Sequence, residues 1–271
     1  MQKEVEDSLS KVDIAANDRY FWRYQYRLAD EIMIPYLKKR GAFSPGDRVA
    51  EIGCAEGGVL AAFVKAGGVS ALGTDIDKRR LEMGQKVSRA LGLDIQLLQH
   101  DICRDALVKE WVGRYDLVLV RDVIEHIENT RLALRQVRQF LKPNGFLFVN
   151  FPPYASPYGG HQHTLKNFWG KLPYIHLLPE PVFQKMISSG RKADIVEVKR
   201  LRNIRLSAKK FAEAAEETGF SIVKEEYFLI RPVFKMKFGL PEVPLTKIST
   251  VPFVKELFSL EAAYLLQPTE R

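Results

Sequence analysis

One stretch of the chain, residues 48–77, limits the folds open to it more than any other. It reads RVAEIGCAEGGVLAAFVKAGGVSALGTDID, and its short apolar run Val49–Ile52 predicts a strand that is buried on both faces. Gly53 ends that strand where a turn is needed, and apolar residues at helical spacing follow the glycines. A second strand is predicted over Val69–Thr74, with Asp75 at its carboxyl end. The order strand, glycine-rich turn, helix, strand is typical of a parallel α/β sheet.

The glycine-rich turn and the acids around it indicate a ligand. A helix N-terminus reached through glycines exposes backbone N–H groups that hold an anionic group, and an acid after the next strand accepts hydrogen bonds from a ribose. The spacing GCAEGG departs from the dinucleotide pattern G-x-G-x-x-G, and Glu56 would sit poorly beside a pyrophosphate. Glu51, inside the strand, is costly to bury unless it serves a ligand. These residues favour a nucleoside whose tail carries an ammonium or sulfonium charge.

The stretch resembles motif I of the class I S-adenosylmethionine-dependent methyltransferases, which runs acid-x-Gly-x-Gly-x-Gly. In EIGCAEGG only the middle glycine differs, and Ala55 takes its place. The sequence looks most like the branch that includes the ubiquinone and menaquinone methyltransferases, closely over Asp47–Phe151 and loosely over the C-terminal third. The resemblance implies S-adenosylmethionine as the cofactor and methyl transfer as the reaction.

The resemblance also implies which residues contact the cofactor, all of them in or just after predicted strands. Glu51 would hold the ammonium, directly or through water; Gly53, Ala55 and Gly57 would line the methionine moiety; Asp75 would take the ribose hydroxyls; Ile76 would pack on the adenine; Asp101, with the Ile102 backbone, would meet the adenine amino group; and Arg121 and Asp122 would close over the methionine chain. A helix cap or a turn acid is the alternative interpretation of Asp75 and Asp101.

Strands and helices continue to alternate beyond this stretch. Apolar runs predict further strands at Ile95–Leu98, Tyr115–Val120 and Phe146–Phe151. Phe220–Ile230 reads as a sixth strand, and the resemblance implies an antiparallel seventh near Glu261–Leu266. We therefore expect an α/β fold with a doubly wound, mostly parallel seven-stranded sheet, a Rossmann-like methyltransferase fold with a cap insertion after strand 5. Ligands of such a sheet bind at the carboxyl ends of its strands.

The chain is expected to form a single methyltransferase domain over 1–271, with two additions to the sheet. The N-terminal segment 1–44 has a helical pattern over Asn17–Lys39, which Pro35 is expected to break or kink. Residues 152–206 are rich in proline, glycine and aromatic side chains in their first half. A long irregular segment of this kind indicates a cap that covers a substrate.

Two helix caps and two connections are also predicted. Asp77 and Ser207 precede helical patterns and are expected to cap them. Lys142–Gly145 reads as a turn into the fifth strand. The proline-broken stretch 232–252 reads as a long loop or as a second face of a substrate pocket.

Three histidines, His126, His161 and His163, are candidate general bases, because histidine titrates near neutral pH and these lie in loops at or near the ligand edge. A hydrogen-bonded loop histidine is the alternative for each. Tyr154 and Tyr158 are candidates to line the acceptor pocket. His161-x-His163 has the spacing of half a metal site, but no carboxylate or third ligand is visible near it in the sequence, so no metal is predicted.

Composition sets broader limits. The 271 residues carry a net charge of +8, and a basic run follows the predicted cap, which together suit an anionic group such as a phosphate on the partner. The two cysteines exclude a disulfide framework and suit a reducing cytoplasm. The opening MQKEVEDSLSKVD is too polar and acidic for a signal peptide, and no apolar run is long enough to span a membrane.

The leading hypothesis is a cytoplasmic S-adenosylmethionine-dependent methyltransferase acting on a small-molecule, lipid or glycan acceptor, with oxygen or carbon as the methylated atom more than nitrogen. An RNA methyltransferase is an alternative, because basic surfaces with interleaved aromatics also bind RNA. An NAD(P)-dependent oxidoreductase on a Rossmann fold is a second alternative. A catalytically silent partner subunit with the same fold is a third.

Overall fold

A computed structural model describes residues 3–245 and 251–269 of the chain. Its strands form one sheet in the order β3-β2-β1-β4-β5-β8-β6-β7. The strands are β1 (Arg48–Ile52), β2 (Ser70–Asp75), β3 (Ile95–Gln99), β4 (Tyr115–Arg121), β5 (Leu141–Phe151), β6 (Phe220–Ile230), β7 (Val243–Pro244) and β8 (Glu261–Pro268). The predicted α/β fold is confirmed, with eight strands where seven were expected. The strand that sequence reasoning missed is the two-residue β7, which pairs antiparallel with β6.

The chain divides into two compact units, which are described separately. The first unit comprises residues up to 121, residues 132–148 and those from 266 onward, and the second comprises residues 122–131 and 149–265. The helices are α1 (Lys3–Ser10), α2 (Ala16–Leu28), α3 (Ile34–Lys39), α4 (Gly58–Lys65), α5 (Lys78–Ala90), α6 (Thr130–Phe140), α7 (Glu180–Ile187), α8 (Lys192–Ile204), α9 (Ala208–Glu217), α10 (Val233–Phe238) and α11 (Pro252–Phe258). No helix among these described segments is long and apolar enough to cross a membrane.

The central strand of the first unit is β1, which has a parallel neighbour on each side. Ala50 lies opposite Leu72 of β2 and opposite Val118 of β4. The chain extends the sheet outward from β1 to β2 and β3, and then returns to the other side of β1 with β4. The strand order therefore reverses beside β1, and such a switch point opens a crevice at the carboxyl ends of the strands.

The N-terminal segment is helical, as predicted. The α-helical pattern is interrupted just before Pro35, where a π-helical segment, Ala29–Met33, links α2 to α3. Pro35 lies within the first two residues of α3 and has no N–H to donate to the preceding turn. Trp22 and Tyr26 of α2 are fully buried and stack with ring centroids 5.4 Å apart.

The second unit contains the whole of the predicted cap, and this segment is more regular than expected. Residues 152–206 form three short 3₁₀ turns followed by α7 and α8. A small apolar core contains Leu165 of the first turn, Phe183 and Ile187 of α7, and Val198 of α8. Sequence reasoning missed both helices, although Val198 and Leu201 of α8 have helical spacing. Whether the segment acts as a substrate cap stays a prediction.

Other local expectations have mixed outcomes. The side chain of Asp77 accepts a hydrogen bond from the N–H of Arg80, and that of Ser207 accepts one from Lys210, so both predicted caps are confirmed. The turn predicted at Lys142–Gly145 is wrong, because β5 begins at Leu141 and runs through it. The stretch 232–252 contains α10, β7 and the start of α11, and its residues 246–250 lie outside the described residues.

Candidate active site

The turn after β1 is built from residues with positive φ angles. Gly53 has φ 73°, Ala55 has φ 52° and Gly57 has φ 70°. The N–H groups of Gly53 and Cys54 both donate to the backbone oxygen of Thr74, at 2.7 and 3.0 Å. The turn is therefore tied to the end of β2, and Ala55 occupies a backbone conformation that glycine adopts at lower cost.

Asp75, at the end of β2, is bound to two backbone N–H groups. Its Oδ2 accepts from Ala55 at 2.8 Å, and its Oδ1 accepts from Asp77 at 2.9 Å. Each carboxylate oxygen can accept more than one hydrogen bond, so both keep acceptor capacity for a ligand. The structure thus gives Asp75 the turn role that the alternative interpretation named, and its ribose role stays a prediction.

Glu51 lies inside β1 and is 1% exposed. The Nε atom of Arg121, at the end of β4, donates to its Oε1 at 3.0 Å, whereas its Oε2 is buried and has no hydrogen-bond partner among the described residues. Burial raises the pKa of Glu51 to about 7, Arg121 opposes the shift, and Asp75 adds to it. One carboxylate oxygen therefore lacks a donor, which an ammonium group supplies well.

The acid in the turn, Glu56, is buried and paired inside the protein. The Nε and Nη2 atoms of Arg80 donate to its two oxygens at 2.7 and 2.8 Å, and the Nε2 of Gln25 donates to Oε2 at 3.0 Å. Glu56 is therefore not a free charge in the turn, and the sequence argument that used it against a pyrophosphate loses its force.

Helix α2 reaches the start of α4 through the same network. The Oε1 of Gln25 accepts from the N–H of Gly58, the first residue of α4, at 3.1 Å. A Cβ added to Gly58 would lie 2.5 Å from the backbone oxygen of Trp22, so glycine is what allows this close approach. The N-terminal segment thus packs on the turn, and Gln25 caps the N-terminus of α4.

The residues predicted to meet the adenine lie on loops after β2 and β3. The side chain of Ile76 is largely exposed, and that of Ile102 is buried. Asp101 accepts a hydrogen bond from the N–H of Cys103 at 2.9 Å through Oδ1. Asp101 is therefore a turn acid as well as a candidate ligand of the adenine, and its cofactor role stays a prediction.

Asp122 begins the second unit and has φ 49°. The Nη2 atom of Arg231, the residue after β6, donates to its Oδ1 at 2.9 Å, and the Nε of the same arginine donates to Glu261 at 2.7 Å. Asp122 thus belongs to a charge network of the second unit. Its predicted contact with the methionine chain stays a prediction.

The second unit brings the three candidate histidines together. The ring centroids of His126 and His161 are 4.9 Å apart, and those of His161 and His163 are 5.8 Å apart. Burial, with the neighbouring His126 and His163, lowers the pKa of His161 to about 3. His161 is therefore neutral at physiological pH, and its low pKa makes it a weak general base.

His126 is held by a carboxylate of α8. Its Nδ1 lies 2.6 Å from Oε1 of Glu197, and the Nη1 atom of Arg200 donates to Oε2 of Glu197 at 3.1 Å. This pairing orients the imidazole and leaves Nε2 available for chemistry. Glu125, the neighbour of His126 in the chain, is buried with both oxygens unpaired among the described residues, and burial raises its pKa well above the usual range.

Comparison with known proteins agrees with this geometry. Residues 50–147 match the family model of a methyltransferase domain. The ubiquinone biosynthesis O-methyltransferase of Leptothrix cholodnii is 29% identical over 105 residues, which are 39% of this chain and 44% of that protein. The solved structure of an S-adenosylmethionine-dependent methyltransferase from Mesorhizobium loti has a TM-score of 0.55 and 17% identity, over 86% of this chain and 96% of that one.

Residues 50–147 form a methyltransferase domain. This stretch contains Glu51, the glycine-rich turn and Asp75. The chain spans about half the length of the curated relatives that it matches. The same fold is also found in the solved structure of a cyclase, SpnF, with a TM-score of 0.53, 13% identity and coverage of 88% of this chain and 80% of that one. Fold likeness alone therefore does not settle the reaction.

The first unit contains most of the predicted cofactor residues, and the second unit contains Asp122 and the three histidines. Sequence reasoning missed Gln25, Arg80, Glu125 and Glu197 as parts of these clusters. Glu125 had a signal, since it stands beside His126 in the loop after β4. The other three had none, because helical polar residues look like solvated surface until their partners are known.

Proposed function

We propose that the chain is an S-adenosylmethionine-dependent methyltransferase that acts on a small-molecule, lipid or glycan acceptor, at oxygen or carbon more than at nitrogen. The observation that carries the proposal is Oε2 of Glu51, a buried oxygen with no hydrogen-bond partner among the described residues. An ammonium group would satisfy it, whereas the pyrophosphate of NAD(P) would bring negative charge to a buried carboxylate. The buried carboxylate beside the turn therefore fits S-adenosylmethionine better than a dinucleotide.

The residues of the first unit would bind and orient the cofactor. Glu51 would accept the ammonium, directly or through water, and Asp75 would accept the ribose hydroxyls with the lone pairs that Ala55 and Asp77 leave free. When bound, the cofactor supplies a methyl group on a positively charged sulfur. The chain's part is to hold the donor and the acceptor in line, because positioning supplies much of the rate of such a displacement.

The acceptor proposal rests on the relatives and on the second unit. The relatives are ubiquinone biosynthesis O-methyltransferases, which supports an oxygen acceptor on a small or lipid-linked molecule. The hydroxyl of Tyr154 donates to the backbone oxygen of His176 at 3.1 Å, and that of Tyr158 donates to Lys171 at 2.9 Å. Their rings, with their hydroxyls already bound, would line an acceptor pocket with apolar surface.

An RNA acceptor is less well supported. Much of the basic run after the predicted cap is paired within the second unit: Arg191 with Asp194, Arg200 with Glu197, and Arg202 with Glu180. Guanidinium groups held in ion pairs attract phosphates less than free ones. The basic composition is therefore weaker evidence for an RNA acceptor than the sequence suggested.

The proposal is tested first by cofactor binding. Calorimetry at pH 8 should show binding of S-adenosylmethionine and no binding of NADH. Glu51→Gln should weaken binding by about tenfold or more, because an amide loses the charge that attracts an ammonium. Glu82→Gln, on the exposed side of α5, is the matched control and should bind like the parent protein. Binding of NADH in place of S-adenosylmethionine would overturn the proposal.

The acceptor is tested by transfer of a labelled methyl group. Incubation with labelled cofactor and either a lipid extract or total RNA should label the lipid fraction. His161→Ala should lower that transfer more than it lowers cofactor affinity, because His161 lies in the second unit and the cofactor residues lie mainly in the first. Label in the RNA alone would favour the RNA alternative.

A further inference from the structure

Three side chains that can bind a metal meet in the second unit. Oε1 of Glu125 lies 3.8 Å from Nε2 of His126 and 3.8 Å from Nε2 of His161. One ligand atom from each residue lies within 4.8 Å of the other two. Glu125 and His126 belong to the loop after β4, and His161 belongs to the loop after β5.

Among the three residues, Glu125 has the environment that most indicates a bound ligand. Its side chain is 3% exposed, and neither oxygen has a hydrogen-bond partner among the described residues. A buried carboxylate without donors is costly, and native proteins rarely leave one unsatisfied. The two imidazole nitrogens at 3.8 Å are too distant for hydrogen bonds. Their spacing is instead close to that of ligands around a common ion.

We propose that Glu125, His126 and His161 bind a divalent transition-metal ion. One carboxylate and two imidazoles form a donor set that suits zinc, cobalt, iron or nickel, whereas magnesium and calcium prefer oxygen ligands. Three protein ligands leave at least one coordination position open. Water or an oxygen atom of a bound molecule would fill that position.

Glu197 supports this assignment from outside the cluster. A histidine that binds a metal through one ring nitrogen usually donates its other N–H to a carboxylate, which fixes the tautomer. His126 has this arrangement, with Nδ1 2.6 Å from Oε1 of Glu197. Its Nε2 therefore carries the lone pair and faces Glu125. Arg200 in turn holds Glu197 at 3.1 Å.

The distances are near those that an ion requires. A tetrahedral ion with bonds of about 2.0 to 2.1 Å holds its ligand atoms roughly 3.3 Å apart. The two contacts of Glu125 Oε1, at 3.8 Å, are longer than this by about half an ångström. The three ligand atoms all lie within 4.8 Å of one another, so binding requires the side chains to move inward.

The assignment departs from the expectation of no metal, which considered only His161-x-His163. His163 is not one of the three proposed ligands. Its ring packs edge-on against that of Tyr158, with ring centroids 6.0 Å apart. The carboxylate absent from the local sequence comes from Glu125. Metal binding and proton transfer use the same imidazole lone pairs, so a bound ion would replace the general-base role of His126 and His161.

The test is direct metal binding to the full chain after treatment with a chelator. Titration with cobalt(II) should produce visible absorption bands of a nitrogen- and oxygen-bound ion at one equivalent, and zinc should displace them. Magnesium should give no heat of binding under the same conditions. Glu125→Gln and His161→Gln should each abolish the one-equivalent bands while circular dichroism stays that of the parent.

Two further variants make the result specific. His163→Ala should bind cobalt like the parent, since His163 is outside the site. Glu197→Gln should weaken binding by about 10- to 100-fold, because it loses the carboxylate that orients His126. Absence of cobalt bands in the parent protein, or equal loss with His163→Ala, would overturn the proposal. The readout is metal binding and not methyl transfer. A failure of this proposal would therefore leave the proposed function untouched, and a failure of the proposed function would leave this proposal untouched.

Discussion

Asp75 Oδ2 accepts a hydrogen bond from the backbone N–H of Ala55 at 2.8 Å, and this contact ties the end of β2 to the turn after β1. The acid that the resemblance assigns to the ribose therefore also orders the turn that would hold the methionine moiety. Substitution of Asp75 should therefore affect both cofactor binding and the order of the turn. Asparagine and alanine separate these two effects, because asparagine keeps one side-chain oxygen and alanine keeps none.

Asp75→Asn keeps one carbonyl oxygen for Ala55 but loses the charge and one acceptor. We expect S-adenosylmethionine to bind about tenfold or more weakly, with little change in stability. Asp75→Ala should bind as weakly and also lose about 1 to 2 kcal/mol of unfolding free energy, because the N–H of Ala55 is left without its partner. Calorimetry and urea unfolding measure the two effects. Equal unfolding free energies for the two variants would show that the contact does not order the turn.

Ala55→Gly is expected to stabilise the chain by up to about 1 kcal/mol. A left-handed conformation costs alanine roughly 1 to 2 kcal/mol, and glycine in return loses about 0.5 to 1 kcal/mol of backbone entropy. Ala61→Gly, within α4, is the matched control and should instead cost about 1 kcal/mol. Urea unfolding of both variants checks the contrast. A loss of stability on changing Ala55 would contradict the strain inferred from its φ of 52°.

The stability contribution of Glu51 should depend on pH. Its pKa is raised from 4.5 to about 7 in the folded chain, so between these values the folded state holds a proton that the unfolded state has released. Stability from this group is therefore greatest below about pH 4.5, falls as pH rises to about 7, and is level above. Arg121 opposes the shift, and Asp75 and the Cys54 thiol are the other titratable groups beside it.

Glu51→Gln removes this dependence, because an amide does not titrate. The unfolding free energy of the variant relative to the parent should rise by on the order of 3 kcal/mol between pH 4.5 and 7, at about 1.4 kcal/mol per unit. Urea unfolding at several pH values measures the difference, in which all other titrating groups cancel. A difference that stays flat across this range would contradict the raised pKa.

Arg80→Met should be strongly destabilising, in contrast to Arg79→Met beside it. Without Arg80, the buried carboxylate of Glu56, 3% exposed, keeps only the hydrogen bond from Gln25, and we expect a loss of about 3 kcal/mol. Arg79 is 69% exposed and pairs with Asp18 at the surface, so its loss should cost below about 0.5 kcal/mol. Urea unfolding compares them. Similar costs would show that the network around Glu56 does not hold the turn.

The sequence predicts the sheet well where its signals are local. β6 was predicted with the bounds that it has, and the caps Asp77 and Ser207 are confirmed, because a strand pattern or a cap is written in adjacent residues. β7 was missed because two residues carry no periodicity. The turn expected at 142–145 is part of β5, since proline and glycine favour turns only until pairing with a neighbouring strand outweighs them.

By itself, the sequence determined the first strand, the glycine-rich turn, and the acids Glu51 and Asp75 that follow a family pattern. These features lie close together in one continuous stretch of the sequence, which is why a local pattern reveals them. Only the tertiary structure decided which charges meet: Arg121 with Glu51, Arg80 with Glu56, and His161 with Glu125. The physical reason is that a buried charge needs a partner in space. Distant strands and helices supply that partner, and no spacing along the chain records it.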